Sequence, residues 1–226
     1  MKSSTVLTWD PAATPETLHP ALDAVSEFYP VFRTASTGSA NLFWTIGGAR
    51  DMAYRTERTA SGHWHIVCNG ETATALRALG AALSGIAETA APTGFKRRSV
   101  MFDCSRNQVF TVDSLQRRLV QLALLGYNEV WLYCEDTYQL EGEPFFGHMR
   151  GGYSAAELRA IDAQAARLGI ELSGCIQTLG HMEQALKWRE VYGDITDCNG
   201  ILLPDEPRTY RLIDKMLHFW SDNLRS

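Results

Sequence analysis

Tyr133-Cys134-Glu135-Asp136-Thr137-Tyr138 closes the apolar run Val130-Trp131-Leu132 with two adjacent acids. The run follows Asp113 to Leu125, where Leu115, Leu119 and Leu122 share one helical face. Gly126 then stands where a helix end wants a left-handed residue. Helix, glycine and apolar run together predict a buried parallel strand entered from a helix. The unit recurs. Ser154-Ala155-Ala156-Glu157 is a capping box that opens an amphipathic helix through Leu158, Ile161, Ala165 and Leu168. Gly169 stops that helix, and Ile170 to Ile176 reads as the next strand. Ser99-Val100-Met101-Phe102-Asp103 supplies a strand ahead of both, and a last helix is predicted over Glu206 to Leu224. Strands and helices alternating at this spacing imply parallel strands joined by right-handed crossovers. The class is α/β. A closed (β/α)8 barrel takes about 250 residues and eight strands. Residues 96–226 hold three clear strands, so they are expected to form the first three β/α units of an incomplete (β/α)8 TIM-type barrel.

Working back from that segment, the rhythm changes at Ala91-Pro92-Thr93-Gly94. Residues 1–95 read as a small α+β domain. Val6-Leu7-Thr8-Trp9 is a short strand, and Thr14-Pro15-Glu16 reads as a helix N-terminus ahead of Leu18, Leu22, Val25 and Phe28. Strand-like pieces follow at Val31-Phe32-Arg33, Asn41 to Ile46, Met52-Ala53-Tyr54-Arg55 and His63 to Val67, separated by Gly38, Gly47-Gly48 and Ser61-Gly62. A second helix is predicted from Glu71 to about Leu83. Consecutive strands with short turns predict an antiparallel sheet backed by helices. Lys96-Arg97-Arg98, the one dense basic run, reads as a solvated linker at the boundary.

Composition narrows the functional classes. The 226 residues are 45% hydrophobic and 21% charged, with net charge −5, an ordinary globular balance. Residues 1–95 carry −2 and residues 96–226 carry −3, so neither half is a basic surface for nucleic acid. No run approaches the roughly 18 apolar residues of a membrane span, and Met1-Lys2-Ser3-Ser4-Thr5 has no apolar signal-type core. Cys68, Cys104, Cys134, Cys175 and Cys198 are an odd, widely spaced set without a CxxC pair, which predicts reduced thiols and a cytoplasmic protein. Cys104, Cys134 and Cys175 with His181 lack metal-ligand spacing and read as strand-end packing; no metal is expected. His63 and His65 alternate on one strand and read as surface or packing residues. GxGxxG and GxxxxGK[ST] are absent, so no nucleotide cofactor is expected.

Each strand of the second half ends in polar groups: Asp103-Cys104-Ser105-Arg106-Asn107, then Glu135-Asp136, then Gln177-Thr178-Leu179-Gly180-His181. Parallel strand ends converge on one rim, which would bring Arg106, Asp136 and His181 into a single pocket. A carboxylate beside an imidazole orients the ring and raises its basicity. An arginine there offers a planar fork of donors suited to hydroxyls or carboxylates. A structural reading stands beside each functional one. Arg106 could pair with Asp103 or Asp136, His181 could be a satisfied loop residue, and Glu135 could face solvent.

Three blocks resemble the start of family-20 glycoside hydrolases, the β-N-acetylhexosaminidases, nearest their bacterial exo-β-N-acetylglucosaminidase branch. They are Ser99 to Asn107; Tyr133 to Tyr138 with Phe145-Phe146-Gly147-His148-Met149-Arg150-Gly151; and Cys175 to Leu186. The resemblance implies that Arg106 binds sugar hydroxyls, with Glu135 on the same rim. It also implies that Asp136 and His181 form a relay supporting the catalytic acid. The family removes terminal β-linked N-acetylhexosamine with retention, the substrate's own acetamido oxygen attacking the anomeric carbon. Its Asp-Glu pair follows a fourth barrel strand. Here Asp205-Glu206 is the only Asp-Glu dipeptide, and it follows Pro204 at a helix start, where acids suit the dipole. The expectation is therefore the N-terminal part of such an enzyme, truncated and inactive alone. The alternatives are a non-catalytic sugar-binding or scaffold module, or a subunit completed by another chain. Self-association through the incomplete barrel is expected.

Overall fold

The computed structural model describes residues 6–30, 32–36, 38–47 and 53–225. The N-terminal stretch Met1 to Thr5, and Val31, Gly48, Met52 and Ser226, lie outside the described residues. Two compact units divide the chain: residues 1–99 with 116–128 and 164–170, and residues 100–115 with 129–163 and 171–226.

The first unit is built on β1 (Leu7–Trp9), β2 (Phe32–Thr34), β3 (Leu42–Ile46), β4 (Tyr54–Arg58), β5 (Trp64–Cys68) and β6 (Thr89–Ala90). They form one sheet in the order β2-β1-β3-β5-β4-β6. The antiparallel expectation is corrected here. β1 runs parallel to β2 and to β3, and β3 runs parallel to β5; only β4 is antiparallel, to β5 and β6. The physical cause is the connection between β1 and β2, which contains α1 (His19–Phe28) and so forces a parallel crossover. The tight hairpin from β4 to β5 turns at Gly62 with φ 86° and is closed by Thr59 N donating to His63 O. Helix α1 also starts later than Thr14-Pro15-Glu16 predicts. A 3-10 turn covers Glu16–Leu18, and Pro20 falls in the first turn of α1, where a missing N–H costs nothing. Helix α2 (Thr72–Leu83) buries Leu76 and Leu79, and a Cβ on its Gly80 would lie 2.1 Å from Leu124 O. Arg98 is no solvated linker: its Nε donates to Gly126 O at 2.6 Å and its Nη1 to Phe95 O at 2.9 Å.

The second unit holds a three-stranded sheet in the order β7 (Ser99–Asp103), β8 (Glu129–Cys134), β9 (Glu171–Ile176). β8 and β9 are parallel and paired from Glu129↔Glu171 to Cys134↔Ile176. Helices α3 (Val112–Leu124) and α4 (Ala155–Arg167) precede β8 and β9, close to their predicted ranges. Gly126 and Gly169 take φ 87° and 66°, as helix ends of this kind require. The Ser154 capping box forms, with Ser154 N donating to Glu157 Oε2 at 2.8 Å and Glu157 N to Ser154 Oγ at 3.3 Å. One face of β8 is fully buried and the other only in part, at Glu129. Val130, Leu132 and Cys134 are buried, but Trp131 is 36% exposed, so the fully buried run read from the sequence is half right. After the short helices α5 (Glu183–Leu186) and α6 (Arg189–Tyr192) comes α7 (Pro207–Ser221). Glu206 is its N-cap and accepts from Arg208 N, which is the role read for Asp205-Glu206. Among the described residues no helix is long and apolar enough to cross a membrane.

Candidate functional site

The polar ends of β7 and β8 meet through a short chain of bonds. Asp103 Oδ1 accepts from Ser105 N (3.0 Å), Ser105 Oγ (2.9 Å) and Arg106 N (3.2 Å), which turns the chain sharply after β7. Burial opposes ionisation of Asp103, but these donors and the Arg106 charge outweigh it and hold the carboxyl below its ordinary range. Thr137 Oγ1 donates to Cys104 O at 2.9 Å, fastening the end of β8 to the end of β7. Glu135 is thereby fixed beside Arg106.

Arg106 leans over the Tyr133 ring at 5.0 Å, with Nε 3.5 Å from Asp103 Oδ2 and 3.8 Å from Glu135 Oε1. Its side chain remains 62% exposed, so these pairs are weak and leave the guanidinium available. Glu135 does not face open solvent; its side chain is 16% exposed and accepts from Tyr133 Oη at 3.4 Å. Gln177, from the end of β9, donates to that same Tyr133 oxygen at 2.7 Å.

Asp136 is buried, and its partner is Arg150. Arg150 Nε lies 2.7 Å from Asp136 Oδ1, while Arg150 Nη2 donates to Ser105 O at 2.8 Å and reaches Glu135 Oε2 at 3.5 Å. The Nε contact is an ion pair out of hydrogen-bond alignment. Both Asp136 oxygens and Arg150 Nε therefore lack a hydrogen-bond partner among the described residues. Burial pushes the Asp136 carboxyl up, against the pull of Arg150 and of Lys187. Arg150 reaches this position because residues 138–153 fold back on the strand end. Tyr138 bridges Tyr153, Gln139 N donates to Tyr153 O and Tyr153 N to Thr137 O. Gly147 makes the approach possible: a Cβ there would stand 2.0 Å from Asp136 O.

Of the residues singled out in the sequence, Arg106, Glu135 and Asp136 are brought together. His181 is exposed, has φ 58°, and makes no hydrogen bond or ion pair with its ring among the described residues. Arg150 is the functional-type residue that sequence reasoning passed over. A signal existed: two acids at one strand end, one of them buried, need a second cation near Arg106, and Arg150 is the only arginine in the loop after them. Cys104 and Cys134 are buried and Cys175 is partly so, in keeping with packing at strand ends.

A sheet whose strand ends gather carboxylates and arginines belongs to a mixed α/β fold. The fold is shared with the N-terminal part of solved GH20 β-N-acetylhexosaminidases. It is similar to the GH20 exo β-N-acetylglucosaminidase of Vibrio harveyi, solved in complex with N-acetylglucosamine, at TM-score 0.71 and 15% identity, over 96% of this chain and 42% of that one. It is also similar to the GH20 β-N-acetylhexosaminidase of Streptomyces coelicolor A3(2) (TM-score 0.62, 21% identity, 96% and 53%). The chitobiase of Flavobacterium johnsoniae gives TM-score 0.67 at 17% identity, over 97% of this chain and 39% of that one. The chain thus spans about half or less of the length of these enzymes. No protein-family model and no curated protein matches it.

Proposed function

We propose that this chain is the sugar-orienting, N-terminal portion of a retaining, substrate-assisted glycoside hydrolase acting on terminal β-linked N-acetylhexosamine. The observation that carries the reading is the cluster of Arg106, Glu135, Asp136 and Arg150 at the ends of β7 and β8, in a fold shared with such enzymes over 96% of the chain. In this reading residues 1–95 are the preceding α+β domain, and residues 96–226 are the opening three units of a (β/α)8 barrel. The six-stranded sheet, which ends at Ala90, supports that division. Arg106 and Glu135 grip sugar hydroxyls. Asp136, buried with oxygens short of donors, and His181, with a free ring, supply the relay that supports the acid. The proton donor is not among these 226 residues, because the only Asp-Glu dipeptide caps α7. The open face at Trp131 supports association with a further chain or copy.

Two measurements on the purified chain test this. Calorimetric titration with N-acetylglucosamine is expected to show binding that Arg106→Ala weakens about tenfold or more, the usual worth of charge-assisted hydrogen bonds. Absence of heat, or indifference to Arg106→Ala, sinks the sugar-orienting role. An aryl β-N-acetylglucosaminide is expected to show no turnover; robust release by the chain alone refutes the assignment of the proton donor elsewhere.

A further inference from the structure

Strand alternation leaves one face of the six-stranded sheet open. Leu42, Trp44, Tyr54, Thr56, Trp64 and Ile66 are buried on the other face, so their neighbours Phe43, Thr45, Arg55, Glu57 and His65 share the open one. Register sets Phe43 opposite His65 and His65 opposite Glu57. Three polar side chains from three adjacent strands then meet in a line. Thr45 Oγ1 lies 2.9 Å from His65 Nε2, and His65 Nδ1 lies 3.4 Å from Glu57 Oε1. The other Glu57 oxygen is 3.6 Å from Arg55 Nε.

The placement of protons along this line follows from the groups. A carboxylate only accepts, so His65 Nδ1 carries the ring proton and donates to Glu57. Nε2 is left with its lone pair, and the Thr45 hydroxyl donates to it. Cross-strand polar pairs on an exposed face add little to stability, but the order hydroxyl, imidazole, carboxylate has a chemical use. It activates an oxygen nucleophile, with the base oriented by the third group. Phe43, two residues before Thr45 on the same face, is 39% exposed and offers an apolar ring beside the hydroxyl. Arg55 stands in the cross-strand row of Thr45 with Val67 between them, so a guanidinium borders the line.

We infer that Thr45, His65 and Glu57 form an acyl-transfer site that cleaves small aryl or alkyl carboxylic esters. The site lies wholly in the first unit and does not rest on the reading of the Arg106 cluster. Thr45 Oγ1 attacks the ester carbonyl carbon while its proton passes to His65 Nε2. The bond from that carbon to the leaving oxygen then breaks, and the leaving oxygen takes the proton from Nε2 to depart as a phenol or alcohol. Water adds to the acyl-threonine, giving a proton to the same nitrogen. The acid leaves as Thr45 Oγ1 recovers that proton. Glu57 holds the ring and balances the charge of the imidazolium, and Phe43 packs against the apolar part of the ester.

The test uses p-nitrophenyl acetate with the 226-residue chain carrying Cys198→Ser, which removes the exposed thiol that would also accept acetyl. Release of p-nitrophenolate is followed by absorbance, and an acid-quenched sample is mapped by peptide mass spectrometry. The acetyl group is expected on Thr45. Added to that chain, T45V is expected to abolish the label at residue 45, and H65N to slow acylation about a hundredfold, the low end of what a positioned general base contributes. E57Q should also slow release while leaving the label on Thr45. Valine and threonine are both strand formers of similar shape, so the sheet is expected to persist in T45V, and far-UV circular dichroism checks it. Release unchanged in T45V, or no acetyl on Thr45, overturns the inference. A label on Thr45 that forms as fast in H65N overturns it as well, because the hydroxyl would then react without the imidazole.

Discussion

Gly147→Ala is the sharpest probe of how the site is assembled. Two costs arise at that position. Gly147 has φ 64°, and placing an L-residue in the left-handed region costs about 1–2 kcal/mol. The new Cβ would also lie 2.0 Å from Asp136 O, a backbone atom that cannot swing aside as a flexible side chain would. Overpacking of this kind costs about 1–3 kcal/mol, so the total is about 2–5 kcal/mol. Gly151 separates the two costs. It too has a left-handed φ, 70°, but a Cβ there meets nothing within 4 Å, so Gly151→Ala should cost only about 1–2 kcal/mol. The difference, about 1–3 kcal/mol, measures the close approach of the loop to the strand end. Because that loop is fastened by few bonds, the loss should appear first as local opening. The amides of Gln139 and Tyr153, which donate to Tyr153 O and Thr137 O, report it directly by hydrogen exchange. Their protection should fall roughly five- to a hundredfold further in Gly147→Ala than in Gly151→Ala, the same difference expressed as an equilibrium constant. Equal protection in the two variants would refute the claim that Gly147 is what lets Arg150 reach Asp136.

Asp136→Asn should stabilise the chain at pH 7. A carboxyl raised by burial binds more protons in the native state than in the unfolded chain, so stability falls as pH rises between the unfolded and folded values. That loss is absent below about pH 4, the unfolded value. Urea midpoints should therefore favour Asp136→Asn at neutral pH and converge with wild type in acid. A variant that is weaker at pH 7 and recovers in acid would mean that the Arg150 pair outweighs desolvation. Ser154→Ala removes one arm of the capping box on α4 and should cost about 1 kcal/mol by the same urea assay; an unchanged midpoint would refute it.

The second half of the chain was legible because its signals are local. Gly126, Gly169 and the Ser154–Glu157 box each fix a helix end from a few neighbouring residues, and the strands between follow from apolar runs. The sheet of the first half was not legible in the same way. Nothing local in Asn41 to Ile46 or in His63 to Val67 says that β3 and β5 lie side by side and parallel, with β4 placed outside them. Pairing between distant strands is decided by packing, and propensity carries no record of it. The same divide runs through the site. Asp103, Arg106, Glu135 and Asp136 stand at strand ends and could be read there, but Arg150 arrives through a loop of a dozen residues that folds back on a glycine.

Backbone strain ties the two loops of the rim together. Met149 and His181 are the only non-glycine residues with positive φ among the described residues, at 61° and 58°. One precedes Arg150 and the other follows the end of β9, so both lie in segments that leave the sheet at its polar edge. Each such residue costs about 1–2 kcal/mol where glycine would cost nothing. For Met149 the conformation sets the turn that sends Arg150 back to Asp136. His181 has no such return, because its ring makes no hydrogen bond or ion pair among the described residues.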